Sequence, residues 1–327
     1  MRRLFDTTRL LLALLVLSAA LAGPAAAQAW PSKPVKLVNG YPAGGGADIL
    51  ARLVAEKLTA ALGQQVIVDN RTGATGMIAA QSVAAAAPDG YTVLFYTMNM
   101  CCTSPVMPGN KVNIDPDKDL MPVVRVAGLD NLLYVSPQTP FRTVKDVIDA
   151  AKAAPGKLTY GSSGVGGSYH LWAALFTTLA GIEMLHVPFR GGPPAIAEIV
   201  AGRIDMMFGN LAEILPHIRN GGVRAIAFTS VPPSPVLPGV PTIAQTLPDY
   251  RADNWFGLGL PAGTPPAIAE RLNAEVRRLV ADKEFSDRLV SMGYQPIGDT
   301  IPEMKAAIQS DRAKWKKVID ATGIRAE

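Results

Sequence analysis

Two glycine-rich turns are the segments whose residue types best suit binding of a small molecule. The first, residues 41–48, reads Tyr-Pro-Ala-Gly-Gly-Gly-Ala-Asp, and the second, residues 160–168, reads Tyr-Gly-Ser-Ser-Gly-Val-Gly-Gly-Ser. Glycine lets the backbone approach a ligand, and the N-terminus of a following helix offers unpaired N–H groups and the positive end of the helix dipole. One such turn can be purely structural. Two turns that face each other across a cleft predict an anion site, most simply for a carboxylate.

Other binding chemistries find little support in the sequence. The first turn lacks the Gly-Lys-Ser/Thr ending with which a P-loop holds phosphate and magnesium, and neither turn fits G-x-G-x-x-G in a convincing context. No His-Glu-x-x-His or Cys-x-x-Cys spacing is present, so we expect no metal site and no cofactor. The two cysteines, Cys101 and Cys102, are adjacent, which favours two free thiols over a strained vicinal disulfide.

An exported serine hydrolase is the alternative class of function. Residues 161–165, Gly-Ser-Ser-Gly-Val, miss the nucleophile-elbow pattern G-x-S-x-G only at the last position. His170 follows in the next predicted helix, so a pairing of Ser162 or Ser163 with His170 stays open from sequence. A histidine at a helix start is more often a surface or ligand-orienting group. We therefore expect a binding protein without catalytic residues.

The N-terminus predicts the compartment. Arg2 and Arg3 precede an apolar run at residues 10–21, and three alanines at 25–27 offer a cleavage site, as in a secretory signal peptide over residues 1–27. The run is too short for a bilayer core, which needs about 20 residues. We expect an exported periplasmic protein of residues 28–327, with Sec and twin-arginine export both open. A net charge of +4 without a basic run argues against nucleic-acid binding.

The rest of the chain alternates strand-like and helix-like segments. Strands at 35–39, 66–69 and 91–96 with helices at 48–62 and 77–87 predict a parallel sheet, and the pattern restarts with strands near 158–162, 184–189, 204–208 and 223–229. Crossings near 123–127 and 253–258 return the C-terminal segment to the first unit. The prediction is an α/β protein of two lobes, each an open, mainly parallel sheet flanked by helices. Lobe 1 comprises 28–128 and 254–327, and lobe 2 comprises 129–253.

Eight separated segments together resemble one family. They are residues 30–35 (Trp-Pro-Ser-Lys-Pro-Val), 41–48, 63–71 (Gly-Gln-Gln-Val-Ile-Val-Asp-Asn-Arg), 88–92 (Pro-Asp-Gly-Tyr-Thr), 155–160 (Pro-Gly-Lys-Leu-Thr-Tyr), 186–191 (His-Val-Pro-Phe-Arg-Gly), 238–242 (Pro-Gly-Val-Pro-Thr) and 261–265 (Pro-Ala-Gly-Thr-Pro). In this order they resemble the Bug-type periplasmic solute-binding receptors, the substrate-binding proteins of tripartite tricarboxylate transporters. The resemblance spans essentially the whole mature chain.

The resemblance implies a Venus-flytrap receptor that closes on a small mono- or dicarboxylate and delivers it to the membrane subunits of a transporter. We expect it to act as a monomer; a sensor that signals without transport is the alternative. In such receptors the two turns hold one ligand carboxylate largely through backbone N–H groups and ordered waters. Carried over position by position, this implies the following ligand-binding residues: Tyr41, Ala43, Gly44, Asp48, Thr97, Asn99, Ser162, Gly164, Gly166, Ser168 and Arg190.

The sequence departs from the family pattern at three of these points. Ala43 replaces a proline and Gly46 adds a third consecutive glycine in the first turn, while Arg190 stands where lysine is commoner. An arginine fork can hold a carboxylate through two hydrogen bonds. Asp48 could complement the dipole of the following helix or accept a hydrogen bond from the ligand. The departures leave the identity of the carboxylate open.

Overall fold

The computed structural model describes residues 30–110 and 114–325. The predicted signal peptide, residues 1–27, lies outside the described residues. The strands are β1 Val35–Asn39, β2 Val66–Asn70, β3 Thr92–Thr97, β4 Leu120–Leu129, β5 Asn131–Val135, β6 Thr159–Ser162, β7 Leu185–Pro188, β8 Met206–Asn210, β9 Arg224–Phe228, β10 Trp255–Pro261 and β11 Tyr294–Pro296. The helices are α1 Gly46–Leu62, α2 Met77–Ala84, α3 Pro116–Asp119, α4 Val144–Ala153, α5 Ser168–Ala180, α6 Gly192–Val200, α7 Leu211–Arg219, α8 Pro266–Ala281, α9 Lys283–Ser291 and α10 Ile301–Thr322.

The strands form two sheets, each flanked by helices, as the two-lobed α/β prediction requires. The first sheet has the order β11-β4-β10-β3-β1-β2 and the second β7-β6-β8-β5-β9. The chain leaves the first sheet after Leu129, enters the second at Asn131, and returns with β10. Our lobe boundaries, 28–128 with 254–327 and 129–253, remain a proposal that follows these two passages. In the described part of the chain, no helix is long and apolar enough to cross a bilayer.

The sheets are mixed rather than mainly parallel, which corrects one part of the fold prediction. The β1–β2, β1–β3, β6–β7 and β6–β8 pairs are parallel, as the strand–helix–strand repeat implies. The returning strand β10 runs antiparallel between β3 and β4, and β5 runs antiparallel to both β8 and β9. The antiparallel pairs arise where the chain crosses between the lobes. β5 and β10 enter their sheets from the other lobe, without the helical crossover that makes successive strands parallel.

Helix starts fall into two groups. Thr143 before α4 and Thr300 before α10 each form a complete capping box with an acidic residue three positions later. By contrast, the residues that precede α1, α5, α6 and α7 make no capping hydrogen bond with their side chains; they are Gly45, Gly167, Gly191 and Asn210. An uncapped helix leaves its first N–H groups available to another partner. These four uncapped starts meet at the functional site.

Residues 99–103 form a single π-helical turn that follows β3 and contains both cysteines. Cys101 and Cys102 are fully buried free thiols, and their sulfur atoms lie 3.4 Å apart. Burial raises the pKa of Cys101 well above its usual value, so its thiol stays protonated. Two free thiols were the favoured prediction, and both are more deeply buried than the sequence indicated.

Candidate functional site

Two cavities separate the loops of the two lobes. The larger has a volume of about 680 Å³, and the smaller, which we call the inner pocket, about 40 Å³. Tyr41, Pro42 and Ser163 line both cavities, so the larger cavity and the inner pocket adjoin at the two glycine-rich turns. The predicted cleft between the turns is therefore present.

Four helix N-termini converge on the inner pocket. Its walls include Gly45–Ala47 at the start of α1, Gly167–Tyr169 at the start of α5, Gly192 and Pro193 at the start of α6, and Asn210 with Glu213 at the start of α7. The N–H of Ser168 makes no hydrogen bond with any residue that the structure describes. Helix N-termini carry partial positive charge, and here they act together in a buried space. The inner pocket can accordingly hold an anion without any lysine or arginine.

Asp48 stabilises the conformation of the first turn through hydrogen bonds. Its side chain is buried, and it accepts hydrogen bonds from the N–H of Gly44 at 3.0 Å, from Arg52 Nε at 2.8 Å and from Asn70 Nδ2 at 2.9 Å. Burial raises the pKa of Asp48, but the bonds from Arg52, Gly44 and Asn70 outweigh burial and hold the pKa below its usual value. Asp48 thus stabilises the first turn by accepting from all three donors. This role adds to the predicted one, in which its charge complements the dipole of the following helix.

Tyr41, Thr97 and Asn99 hold a third loop, residues 72–76, against the cleft. The Tyr41 hydroxyl donates to the Thr75 carbonyl at 3.0 Å, and Asn99 Nδ2 donates to the same oxygen at 2.8 Å. Tyr41 also lies 3.4 Å from Thr97 Oγ1. Ala74 and Thr75 have φ of 45° and 52°, a strained region for residues with side chains, and this loop lines the larger cavity. Asn99 itself lines neither cavity, so its contribution is to position Thr75.

The second turn is held by neutral side chains. Ser162 Oγ accepts from the Gly164 N–H at 3.2 Å, and His170 Nδ1 accepts from the Gly166 N–H at 3.0 Å. Gly164 and Gly166 have φ of 127° and 72°, which only glycine adopts readily. Their N–H groups are already bonded within the turn. The N–H of Ser168, at the start of α5, is among the donors of this turn that make no hydrogen bond with any residue that the structure describes.

A serine–histidine contact exists at the second turn, although it is not the pairing with His170 that the sequence left open. Ser162 Oγ lies 2.6 Å from His186 Nε2, whereas His170 stacks on His186 with ring centroids 3.9 Å apart. Burial lowers the pKa of His186 to about 4, and burial with the neighbouring His186 lowers the pKa of His170 to about 3. Ser162 is fully buried and lines neither cavity. A substrate carbonyl cannot reach it, so the geometry favours a structural role.

The remaining predicted residues differ in position. Ala43 and Gly44 are exposed and line neither cavity, Ser168 and Thr97 line the inner pocket, and Arg190 is exposed on the wall of the larger cavity. Within residues 30–110 and 114–325, no acidic group forms an ion pair with Arg190, and no cluster of three His, Cys, Asp or Glu side chains could hold a metal. Arg190 therefore presents a positive charge at the larger cavity.

Sequence reasoning missed Asn210 and Glu213 in the inner pocket. Glu213 is 7% exposed and Asn210 4% exposed, and Tyr169 donates from its hydroxyl to Glu213 Oε2 at 2.7 Å. Burial raises the pKa of Glu213 to about 7, although bonds from Tyr169 and from the N–H of Gly46 favour the charged form. The only sequence feature that marks these two residues is the segment 210–213, Asn-Leu-Ala-Glu, which follows a buried strand. An ordinary helix start with an acidic residue in its first turn has the same pattern, so the sequence could not identify them as pocket residues.

Comparison with known proteins agrees with this fold. The chain is 30% identical to BugT of Bordetella pertussis over 325 residues, which cover 98% of this chain and 99% of BugT. Its fold matches the structure of Rpa4515 of R. palustris with adipate, with a TM-score of 0.89 and 34% identity over 91% of this chain and 100% of that one. It also matches MatC of Rhodopseudomonas palustris with bound malate, with a TM-score of 0.82 and 29% identity over 89% of this chain and all of MatC.

Two lobes with a cleft between them, walled by uncapped helix starts, define a solute-binding receptor. The model of the tripartite tricarboxylate transporter family receptor matches residues 50–324. The chain belongs to this family, whose Bug-type members are periplasmic solute-binding proteins. The resemblance that the eight sequence segments indicated is confirmed.

Proposed function

We propose that this protein is a periplasmic receptor that captures a small mono- or dicarboxylate in the cleft between its lobes and delivers it to the membrane subunits of a tripartite tricarboxylate-type transporter. The convergence of helix starts on the inner pocket carries the proposal, because the first N–H groups of α1 and α5 can stabilise an anion there as fixed dipoles. The starts of α6 and α7 add fewer donors, since Pro193 and Pro194 have no N–H and the Leu211 N–H donates to the Asp130 carbonyl. The structures of relatives with adipate and with malate support the choice of a carboxylate.

Within this proposal the predicted residues take different parts. Ser168 and the N-terminus of α1 bind the carboxylate in the inner pocket, and Arg190 contacts the outer end of the ligand in the larger cavity. Tyr41 and Thr97 lie at the wall, and Gly164 and Gly166 shape the second turn. Asp48, Asn99 and Ser162 act indirectly by holding the loops that carry the site. Ala43 and Gly44 contribute backbone conformation.

A pair of substitutions at Ser168 tests the binding mode. Gly167 before it has φ −70° and ψ 162°, an extended conformation, so proline is accepted at Ser168 as the first helical residue. Ser168→Pro removes the N–H, whereas Ser168→Ala keeps the N–H and removes only the hydroxyl. A charge-assisted hydrogen bond to a carboxylate is worth about 1.5–3 kcal/mol, so Ser168→Pro should weaken binding about tenfold to a hundredfold. Ser168→Ala should stay close to the wild type.

The measurement is titration calorimetry of residues 28–327, unfolded, dialysed and refolded to remove any co-purified ligand, with aliphatic mono- and dicarboxylates including adipate and malate. Thermal unfolding of each variant without ligand separates binding from folding. Equal affinities of Ser168→Pro and Ser168→Ala at equal stability would reject the backbone-anion site. Failure of every mono-, di- and amino-acid carboxylate to bind the wild type would reject the carboxylate receptor itself.

Export is tested separately from binding. The proposal predicts that cells expressing the full chain release, on osmotic shock, a protein that begins at Gln28, because residues 25–27 are alanines that suit a signal peptidase. Mass spectrometry of the periplasmic and membrane fractions checks both the mass and the compartment. Retention of an uncleaved chain in the membrane fraction would replace the signal peptide with an anchor.

A further inference from the structure

The inner pocket contains a carboxyl group of the protein itself, in a place where helix N-termini favour an anion. Glu213 is nine-tenths buried, and within residues 30–110 and 114–325 its Oε1 has no hydrogen-bond partner of good geometry. A Cβ built on Gly192 would lie 2.0 Å from this oxygen, and one built on Gly45 would lie 3.7 Å from it. Oε1 therefore lies between the N-termini of α6 and α1, which both line the inner pocket.

A second buried acceptor lies beside it. Asn210 Oδ1 has no hydrogen-bond partner in the described part of the chain, and a Cβ on Gly46 would lie 2.4 Å from Asn210 Nδ2. Buried polar atoms are nearly always hydrogen-bonded, so a pair of acceptors on one pocket wall calls for a donor. No lysine or arginine is among the groups that act on Glu213. A protonated Glu213 carries a donor of its own, whereas the ionised carboxylate and Asn210 Oδ1 must take their donor from a molecule that enters the pocket.

We infer that Glu213 makes the inner pocket selective for a carboxylate that bears an amino group close to the carboxyl, with the ammonium donating to Glu213 Oε1 and Asn210 Oδ1. An ammonium carries three donors and can satisfy both acceptors, while the adjacent carboxylate takes the helix N–H groups. Gly46 connects the ammonium site with the carboxylate site, because its N–H lies near Glu213 and it is the first residue of α1. This inference rests on the proposed function and specifies its substrate class.

The surroundings of Glu213 set the direction of its pH response. Tyr169 from α5, Tyr134 from β5 and Tyr294 from β11 are the titratable groups that face it, and burial raises the pKa of each tyrosine well above 10, so they stay neutral. Asp48 on α1 keeps a lowered pKa and stays charged. The charge that changes near pH 7 is that of Glu213. An ammonium ligand then binds more tightly as pH rises through 7, and an unsubstituted carboxylate binds less tightly.

The experiment compares ligands with one carbon skeleton and different groups at carbon 2: succinate, malate and aspartate, then glutarate with glutamate, and adipate with 2-aminoadipate. At pH 8 the amino member of the best-binding series should bind about tenfold or more tightly than its unsubstituted member, with the hydroxy member between. Glu213→Gln should reduce that ratio to about threefold or less. Glu183→Gln, the same change at an exposed site, should leave the ratio unchanged.

Each outcome decides a different point. If carboxylates bind but the amino group gives no advantage in the wild type, or if Glu213→Gln keeps the full ratio, the inference is overturned and the proposed function stands. Tighter binding of unsubstituted dicarboxylates at pH 6 than of amino acids at pH 8 would also overturn it, since a protonated Glu213 would then be donating to the ligand. If no carboxylate binds the wild type, the proposed function and the inference both fail. Near-equal thermal midpoints of Glu213→Gln and the wild type exclude a folding defect.

Discussion

The two glycine-rich turns present helix N-termini to the same pocket but are fixed by different chemistry. The first turn depends on an ionised side chain, since Asp48 bonds Gly44, Arg52 and Asn70. The second depends on neutral groups, with Ser162 and His170 bonding the Gly164 and Gly166 N–H groups. The comparison teaches that similar backbone turns can be stabilised either by an ionised side chain or by neutral ones. We therefore expect the two turns to respond differently to mutation and to acid.

Asp48→Ala gives the largest expected effect. It leaves Asn70 and the Gly44 N–H without their acceptor, and Arg52 without its ion pair, so we expect a loss of about 2–3 kcal/mol in the free energy of unfolding. Carboxylate affinity should fall by a factor of about 100, because the turn carrying α1 loosens. Urea unfolding and calorimetry measure the two quantities. Unchanged affinity would show that the first turn holds its conformation without Asp48.

Acid should affect the second turn before the first. His170 and His186 have pKa values of about 3 and 4 in the folded protein, against about 6.5 unfolded, so the unfolded chain binds more protons and stability falls as pH drops from 6.5 towards 4. Asp48 has a lowered pKa, so its contribution is lost only below about pH 4.

Glu213 has the opposite effect on the pH dependence of stability. Burial raises its pKa to about 7, so the folded chain binds this proton at a higher pH than the unfolded chain does. Its contribution to stability is present at acidic pH and is lost as pH rises through 7. Glu213→Gln should therefore steepen the decline between pH 7 and 4.5 by about 2 kcal/mol, measured by urea unfolding at several pH values. A Glu213→Gln profile parallel to the wild type would show that Glu213 is already ionised at pH 4.5.

Gly191→Ala tests how closely the lobes approach. Gly191 has φ of 109°, and a Cβ there would lie 2.6 Å from Pro42 Cγ in the first turn. The added methyl group should disfavour closure and weaken ligand binding about tenfold. Gly221→Ala, between Asn131 and Phe228 along the chain, is the control for backbone strain alone, because Gly221 also has a positive φ, of 77°, and a Cβ there would meet no atom within 4 Å. Equal losses of affinity in the two variants would remove the steric argument at Pro42.

Ser162→Ala should have the smallest effect of the set. It removes a neutral acceptor of the Gly164 N–H and the partner of His186, so we expect a loss of about 1 kcal/mol in stability and a change in affinity below about fivefold. Calorimetry with the best carboxylate and urea unfolding check both. A loss as large as that of Asp48→Ala would mean that the two turns do not differ in the way that their chemistry indicates.

Much of the fold was readable from local pattern. The strands β1, β2, β3 and β6 and the helix α1 lie within a few residues of their predicted bounds, and so do α8 and α10, which the apolar pattern predicts at 265–281 and 302–321. A buried strand or an amphipathic helix can be recognised from the period of its apolar residues. The strand β4, residues Leu120–Leu129, was predicted only as a crossing, and α4 and α9 were not predicted. Strand direction at a crossing depends on contacts between distant segments, so the mixed sheets could not be read locally.

The sequence by itself determined the two glycine turns, their place before helices and the family, since these depend on residue types at short spacing. Only the tertiary structure decided which groups at the turns are free. Gly164 and Gly166 donate their N–H groups to Ser162 and His170, and Asp48 lines neither cavity and accepts from Gly44, Arg52 and Asn70. The structure also brought Glu213, some 165 residues along the chain, to the start of α1. Such a contact between distant residues depends on how two sheets pack, and no local pattern records it.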